Sequence, residues 1–557
     1  MTDEQQDQQG EQQRVLANSA VMAAGTVVSR MSGFVRSALL AAALGPSLHA
    51  DLFNIANTIP NMLYILLAGG VINAVLVPQL VRSMRSDPDG GDAYTNRVIT
   101  LAGLFLGAVT ALLVVAAPWV MSVFLSSEYD DPSMSAERDS IIAFARFCLP
   151  QVFFYGMYVL VGQILNARER FGPMMWAPIA NNVISVGVLV VYLVVFGPAK
   201  GAELFGAFSP GQEMLLGLGA TAGIVAQFLV LVPYLRASGF HYRPRFDFRH
   251  TGLGHTLRLG LWTVLFVIVN QVAYTVVVRL ASTGTASSDD GTGYWIYSAT
   301  FLIVMVPHSV VTVSLATAIL PRLSARAAED DRAGVARSLT DTLRTALAVV
   351  IPFALLLPVV AGDLARLIWG YGASADRTDL YAPSLALFGG GLVFFTVHYL
   401  MLRGFYALEL TRTVFFIQCA VATTNIVAAL VLVRSTDPEH TSPALVVAYS
   451  ASYLVGALVS YAVLRRRLGG LRTPTLVRFV VRLAIAVAVS TAAAAATAYL
   501  LHRVDADPNW AVAAVWVLAT GAVDAVVLVL MARVVRLREV STVVDTITSR
   551  VPLLRRP

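Results

Sequence analysis

Long apolar runs broken by short polar segments fill the chain from residue 15 to residue 533. A helix crosses the hydrocarbon core of a bilayer with about 20 apolar residues. By that measure the runs predict fourteen membrane-spanning helices, centred near Arg30, Leu66, Ala111, Phe154, Val186, Gly223, Ile268, Val310, Val350, Phe394, Val421, Ser452, Val487 and Thr520. The fold class expected is therefore an all-α polytopic membrane protein. Residues 1–14, MTDEQQDQQGEQQR, form a polar tail expected to be disordered and cytoplasmic. They lack the charged-then-apolar order of a cleavable signal, so the first span itself must direct insertion.

Composition changes the picture by excluding a soluble alternative. A chain of 557 residues could make three or four soluble domains by length, but 57% of its residues are hydrophobic, 13% are charged and the mean hydropathy is +0.69. Soluble domains carry about 25% charged residues. The net charge of +6 raises the question of nucleic acid, and the placement of the basic residues answers it. Segments on the side of the N-terminus hold 28 arginines, whereas the opposite loops hold six basic residues: Arg138, Lys200, Arg366, Arg377, Arg434 and Arg503. The positive-inside rule then puts both termini in the cytoplasm. No basic stripe lies on a soluble domain, so nucleic-acid binding is not expected. Cys148 and Cys419 both fall in apolar runs and offer neither a disulfide framework nor a cysteine metal site.

An internal repeat is visible. VLVPQLVRS closes the second span and AILPRLSAR the eighth, with Pro78 and Pro321 separated by 243 residues. Asn182 and Asn425 show the same separation, and NARERF around Glu169 resembles YALELTRT around Glu409. A six-span repeat keeps both halves in the same orientation, about an axis along the membrane normal. The expected organisation is a tail (1–14), an N-lobe of helices one to six (15–236) and a C-lobe of helices seven to twelve (237–467) opened by a cytoplasmic linker (237–255). Two further helices (468–533) and a cytoplasmic tail (534–557) complete it. The last two spans, rich in Ala and Val, are expected to pack loosely and leave a groove open to lipid at positions such as Ala494.

Polar groups inside the spans carry the candidate chemistry. Arg30 and Arg36 lie in the first span, where a central arginine costs about 2.5–3.5 kcal/mol to insert and usually faces a wet cavity. Six residues amount to about 120° of rotation and about 9 Å along the axis, so both can reach into one broad cavity. A guanidinium fork suits phosphate, which points to an anionic, phosphorylated substrate. The competing reading has Arg36 snorkelling to the interface and Arg30 capping a carbonyl. Asp51, Asn54, Asn57 with Thr58, and Asn61 form a polar stripe on the second span, with a kink expected at Pro60. The stripe fits a cavity wall, and it equally fits hydrogen bonds between helices. Elsewhere Arg146, Gln151, Asn181, Asn182, Gln227, Asn270, Gln271, Arg279, His308, His398, Gln418 and Asn425 are scattered singly. There is no Walker loop, zinc-ligand cluster or paired membrane carboxylate, so neither enzyme catalysis nor a cofactor is implied.

The motifs SRMSGFVRSALLAAALG, ADLFNIANTIPNMLYILLAGG with INAVLVPQL, LNARERFGPMMWAPIANNVIS, the VPHSVVTVSLATAILPRLS run and LMLRGFYALELTRT occur in order along the chain. Together they resemble the MurJ (MviN) lipid II flippases of the multidrug/oligosaccharidyl-lipid/polysaccharide exporter superfamily. The resemblance implies two six-helix lobes around a cationic cavity and two extra helices forming a lipid-tail groove. It also implies export of the undecaprenyl-diphosphate-linked wall precursor across the inner membrane by alternating access. The family's two first-helix arginines map onto Arg30 and Arg36, and its second-helix carboxylate onto Asp51. Departures are Ser37, Tyr64 with Ile65, Gly69 and Leu302, where many members carry charged residues. Diphosphate binding would then rest on Arg30 and Arg36, with Arg146 or Arg279 as stand-ins and the polar stripe beside them. With the sequence ending at Pro557, the pseudokinase domain that some related proteins append is not expected.

Two other readings compete. One is another exporter of the superfamily, moving polysaccharide-repeat lipids or coupling drugs to a cation. The other is a membrane scaffold that recruits wall-synthesis proteins without transporting anything. For the driving force, membrane potential and a sodium site near Asn270 and Asn425 are both open.

Overall fold

The computed structural model describes residues 25, 28–66, 80, 83, 84, 89, 91–247 and 253–540, with the backbone alone over 253–260. The expected tail 1–14, the end of the chain from 541, and Gly69, Gly70 and Pro78 lie outside the described residues. Helix makes up 87% and no strand occurs among the described residues. The chain divides into two compact units, Met1–Arg279 and Leu280–Pro557.

The first unit begins with α1 (28–44), a tight turn through Gly45, and α2 (Leu48–Ile65). It continues with α3 (Asp92–Val115), α4 (Ala117–Phe124), α5 (Ser135–Cys148), α6 (Gln151–Ala167), α7 (Gly172–Val195), α8 (Pro210–Leu229), α9 (Leu231–Ala237) and most of α10 (Leu253–Ser287). Capping explains several boundaries. Ser209 and Gln212 form a reciprocal capping box that starts α8, and Pro118 sits in the first turn of α4. The apolar run expected to be one span centred near Ala111 is therefore two helices, α3 and α4, broken at Ala116. The break lies where proline can start a helix but not continue one.

The second unit contains α11 (Tyr294–Pro307), a π-helical turn over His308–Thr312, α12 (Val313–Ala328), α13 (Arg332–Trp369), α14 (Ala382–Ala407), α15 (Thr411–Ser435), α16 (Thr441–Arg467), α17 (Thr473–Val504) and α18 (Trp510–Val534). Asp331 caps α13 by accepting from the Gly334 amide at 2.7 Å, and Asn509 caps α18 by accepting from Ala511 and Val512.

Twelve helices among the described residues are long and apolar enough to cross a membrane. In order they correspond to the third to fourteenth expected spans. The repeat is legible in backbone geometry as well. α6 and α14 both end on a glutamate in the left-handed region, Glu169 at φ 62° and Glu409 at φ 57°. In each turn the next amide reaches back five residues, Arg170 N–H to Leu165 O at 2.8 Å and Leu410 N–H to Phe405 O at 2.9 Å.

Loose packing of the last two helices is not what the structure shows. Ala494 is fully buried. Asp524 of α18 and Ser490 of α17 are both buried. Both ends of the pair are pinned to α13 and its flanks: His502 lies 3.3 Å from the buried Asp363, Arg366 is 2.8 Å from Asp507, and Arg344 pairs with Glu539. The Ala/Val pattern concealed this because the partners lie on a helix more than a hundred residues away.

Candidate functional site

The first helix is held in place by a polar clasp. Asn182 of α7 donates to the Ser29 carbonyl at 3.0 Å and to the Ser32 hydroxyl at 2.8 Å. A Cβ on Gly25 would meet the Trp176 ring at 2.9 Å, so the backbone of this segment runs close against α7. Arg30 and Arg36, by contrast, are exposed, and among the described residues neither makes an ion pair or hydrogen bond. Arg36 is within electrostatic reach of Tyr155, whose ring packs at 4.9 Å on Tyr64. Each arginine thus keeps its guanidinium N–H donors without a partner among the described residues.

The polar stripe of α2 does not act as one unit. Asn54 returns its amide to the Ala50 carbonyl within its own helix, at 2.8 Å. Asn57 accepts from Gln151 of α6 at 3.0 Å, the interhelical bond that competed with the cavity reading. Asn61 is exposed. Asp51 is fully buried in the first turn of α2, beyond the Gly45 turn from the arginines of α1. The eight residues from Arg36 to Leu44 alone span about 12 Å of helix. There Asp51 faces the buried Tyr129, as do Glu137 and Glu128. Burial and those carboxylates push the Tyr129 phenol well above its ordinary range, because they oppose a second negative charge. Beside them His49 stacks on Phe208 at 3.4 Å and bonds the Gly206 carbonyl at 3.0 Å, a contact with no sequence signal.

The two stand-in arginines differ. Arg146 is exposed in the last turn of α5. Arg279 donates to the carbonyls of Ser122 at 2.7 Å and Val123 at 3.2 Å, so it caps the C-terminus of α4. Gln271 donates to the Met62 carbonyl at 2.7 Å. Asn270 is half-buried in the first unit, and Asn425 is half-buried in the second with its carbonyl oxygen unpartnered. Its repeat mate Asn182 has two partners, so the repeat preserves the residue but not the bond. His308 and His398 meet hydroxyl groups, Thr396 at 3.1 Å and Ser460 at 3.4 Å. The histidine–carboxylate pair of the second unit is His502 with Asp363, which spacing did not reveal. No group of His, Cys, Asp or Glu able to hold a metal occurs among the described residues.

A family model described as "Lipid II flippase MurJ" matches residues 40–519. The chain belongs to the lipid II flippase MurJ family. A probable lipid II flippase MurJ of Rhizobium meliloti is 28% identical over 471 residues, 84% of each chain. That of Haemophilus influenzae is 25% identical over 406 residues, 70% of this chain and 75% of its own. Among solved structures, a lipid II flippase MurJ in an inward closed conformation superposes with a TM-score of 0.70 at 17% identity, covering 92% of this chain and 99% of that one. An inward-facing multidrug transporter of the MATE family gives a TM-score of 0.61 at 15% identity over 80% of this chain and 96% of its own. The MurJ fold and the wider superfamily fold thus both accommodate this sequence.

Proposed function

We propose that this chain moves lipid II, the undecaprenyl-diphosphate-linked peptidoglycan precursor, from the inner to the outer leaflet of the bacterial cytoplasmic membrane by alternating access. The observation that carries the reading is the family match over 40–519, preceded directly by two exposed, unpaired arginines on the first helix. Arg30 and Arg36 bind the diphosphate from the cytoplasmic side, with the exposed Arg146 and Asn61 within the same polar lining. Arg279 caps α4 and Asn57 bonds Gln151, so both serve the scaffold.

In this reading α1, α2 and the twelve apolar helices make fourteen spans with both termini cytoplasmic. Residues 15–236 and 237–467 form two six-helix lobes, and α17 with α18 guides the lipid tail. The precursor and membrane lipids are its partners, with wall-synthesis proteins as further candidates. The chain acts as a transporter and not as an enzyme. Asp363, a membrane carboxylate that a cation-coupled drug exporter would want uncommitted, pairs with His502. A scaffold would have no use for the unpaired arginines.

Driving force follows from charge. Moving one charge through 100 mV is worth about 2.3 kcal/mol. A potential negative inside favours outward passage of the anionic precursor and inward return of the cationic empty carrier. A sodium site near Asn270 or Asn425 is the rival, supported by the unpartnered Asn425 oxygen.

The test is lipid II translocation in proteoliposomes with potential and sodium gradient set independently. The wild-type protein flips lipid II, and a double Arg30→Ala, Arg36→Ala variant of equal abundance does not. Normal flipping by that variant sinks the site. Transport that follows sodium and ignores potential replaces the field mechanism with the sodium one.

A further inference from the structure

Near its C-terminal end, α14 carries an arginine whose surroundings differ from those of its neighbours. On α14, Phe395, Tyr399, Arg403 and Tyr406 recur at intervals of four, four and three, which places them on one helix face. All four are half-buried. His308, from the π-helical turn, backs the stripe with ring contacts of 4.6 Å to Phe395 and 4.8 Å to Tyr399. The Arg403 guanidinium lies 4.3 Å over the Tyr399 ring and 5.8 Å from the Tyr406 ring.

What Arg403 lacks is as informative. Its Nε is buried with no acceptor, and among the described residues it has no carboxylate partner. Other arginines of the same unit are committed: Arg344 to Glu539, Arg366 to Asp507, and Arg326 to the Gly334 carbonyl at 2.9 Å. Aromatic faces stabilise the cation and hold its plane, but they leave the N–H edge unused. A guanidinium donor buried without an acceptor is costly, and a planar fork fits a phosphate group with two parallel bonds.

We propose that Arg403, placed over the Tyr399 ring and near that of Tyr406, binds a lipid phosphate, namely the diphosphate of the precursor at the cytoplasmic end of its route. This rests on the flippase reading above and adds a binding residue in the second unit that family motifs did not single out. Phospholipid headgroups offer the same phosphate chemistry, so the experiment separates the two sources.

The full-length protein is placed in phosphatidylcholine nanodiscs. Binding is measured for lipid II, for undecaprenyl diphosphate without the sugar–peptide head, and for phosphatidylglycerol. Arg403→Gln is expected to weaken both diphosphate lipids about tenfold or more, the range of a charge-assisted hydrogen bond, with little change for phosphatidylglycerol. Arg403→Lys, which keeps the charge and loses the fork, is expected to weaken them severalfold at unchanged thermal stability. It carries the test if Arg403→Gln fails to fold. Tyr399→Phe, which keeps the ring, is expected to bind as wild type, and Tyr399→Leu to lose part of the affinity. Wild-type diphosphate binding in both Arg403 variants overturns the proposal, as does a loss confined to phosphatidylglycerol. If the wild-type protein itself ignores lipid II, the flippase reading fails instead.

Discussion

Three consecutive glycines in α14, Gly389, Gly390 and Gly391, allow the packing of the second unit to be tested residue by residue. A Cβ on Gly389 would sit 2.3 Å from the Ala354 carbonyl oxygen and 3.1 Å from its carbon, both backbone atoms of α13. Ordinary contact begins near 3.4 Å. Gly389→Ala must therefore push α13 and α14 apart by about 1 Å, since neither atom can rotate away. Overpacking of this kind costs about 1–3 kcal/mol, offset by at most about 1 kcal/mol of helix propensity. Gly390 has nothing within 4 Å, so Gly390→Ala removes no space and gains the propensity. Gly391 faces the Ser450 hydroxyl at 2.7 Å and the Tyr449 ring, side chains that can yield in part. The thermal midpoint of the purified protein, followed by tryptophan fluorescence, should rank Gly390→Ala at or above wild type, Gly391→Ala lower and Gly389→Ala lowest. The first and last should differ by about 1–3 °C. Equal midpoints for Gly389→Ala and Gly390→Ala would show that α13 and α14 do not approach as described.

Four other outcomes follow from particular contacts. Arg279→Ala should raise amide exchange at the end of α4 by removing its carbonyl cap, and leave lipid II binding unchanged; weakened binding would return Arg279 to the substrate site. Ala494→Trp should lower the thermal midpoint as a core overpacking mutation, because Ala494 is fully buried, and an unchanged midpoint would show that this position is not packed as described. His502→Ala should destabilise the packing of α17 on α13 by leaving the buried Asp363 without its partner, read as faster proteolysis or exchange in α17. Arg97 holds the Asp247 carboxyl below the usual carboxylate range, so their bond is intact at neutral pH and is lost as pH falls through that lowered value. Exchange over 242–247 should rise below that pH and not between pH 6 and 8, and Asp247→Asn should abolish the transition.

The sequence alone determined the membrane class, the order of the apolar helices and the recurrence of one turn. These follow from one-dimensional quantities: the length of an apolar run, the side on which arginines collect, and the recurrence of a turn. Glu169 and Glu409 show how far that reaches, since two similar strings close their helices with the same left-handed turn. Arg30 and Arg36 were also legible, because a cation within an apolar run is conspicuous wherever the helix turns.

Partners across the fold were not legible. Asn57 with Gln151, Asn182 with Ser29, His502 with Asp363 and Arg279 with Ser122 are pairs whose members lie far apart in the chain. In each, one side chain reads the same whether it lines a cavity or bonds a neighbour. A polar residue in a span must satisfy its hydrogen bonds within the protein or in water, and helix packing decides which. Asp51, read as part of a substrate site, is fully buried within electrostatic reach of Tyr129, while Arg403, counted as one more cytoplasmic arginine, lies over the Tyr399 ring. Run length and charge placed the chain in its membrane; the packing of one helix against another decided which polar groups remain free to meet a ligand.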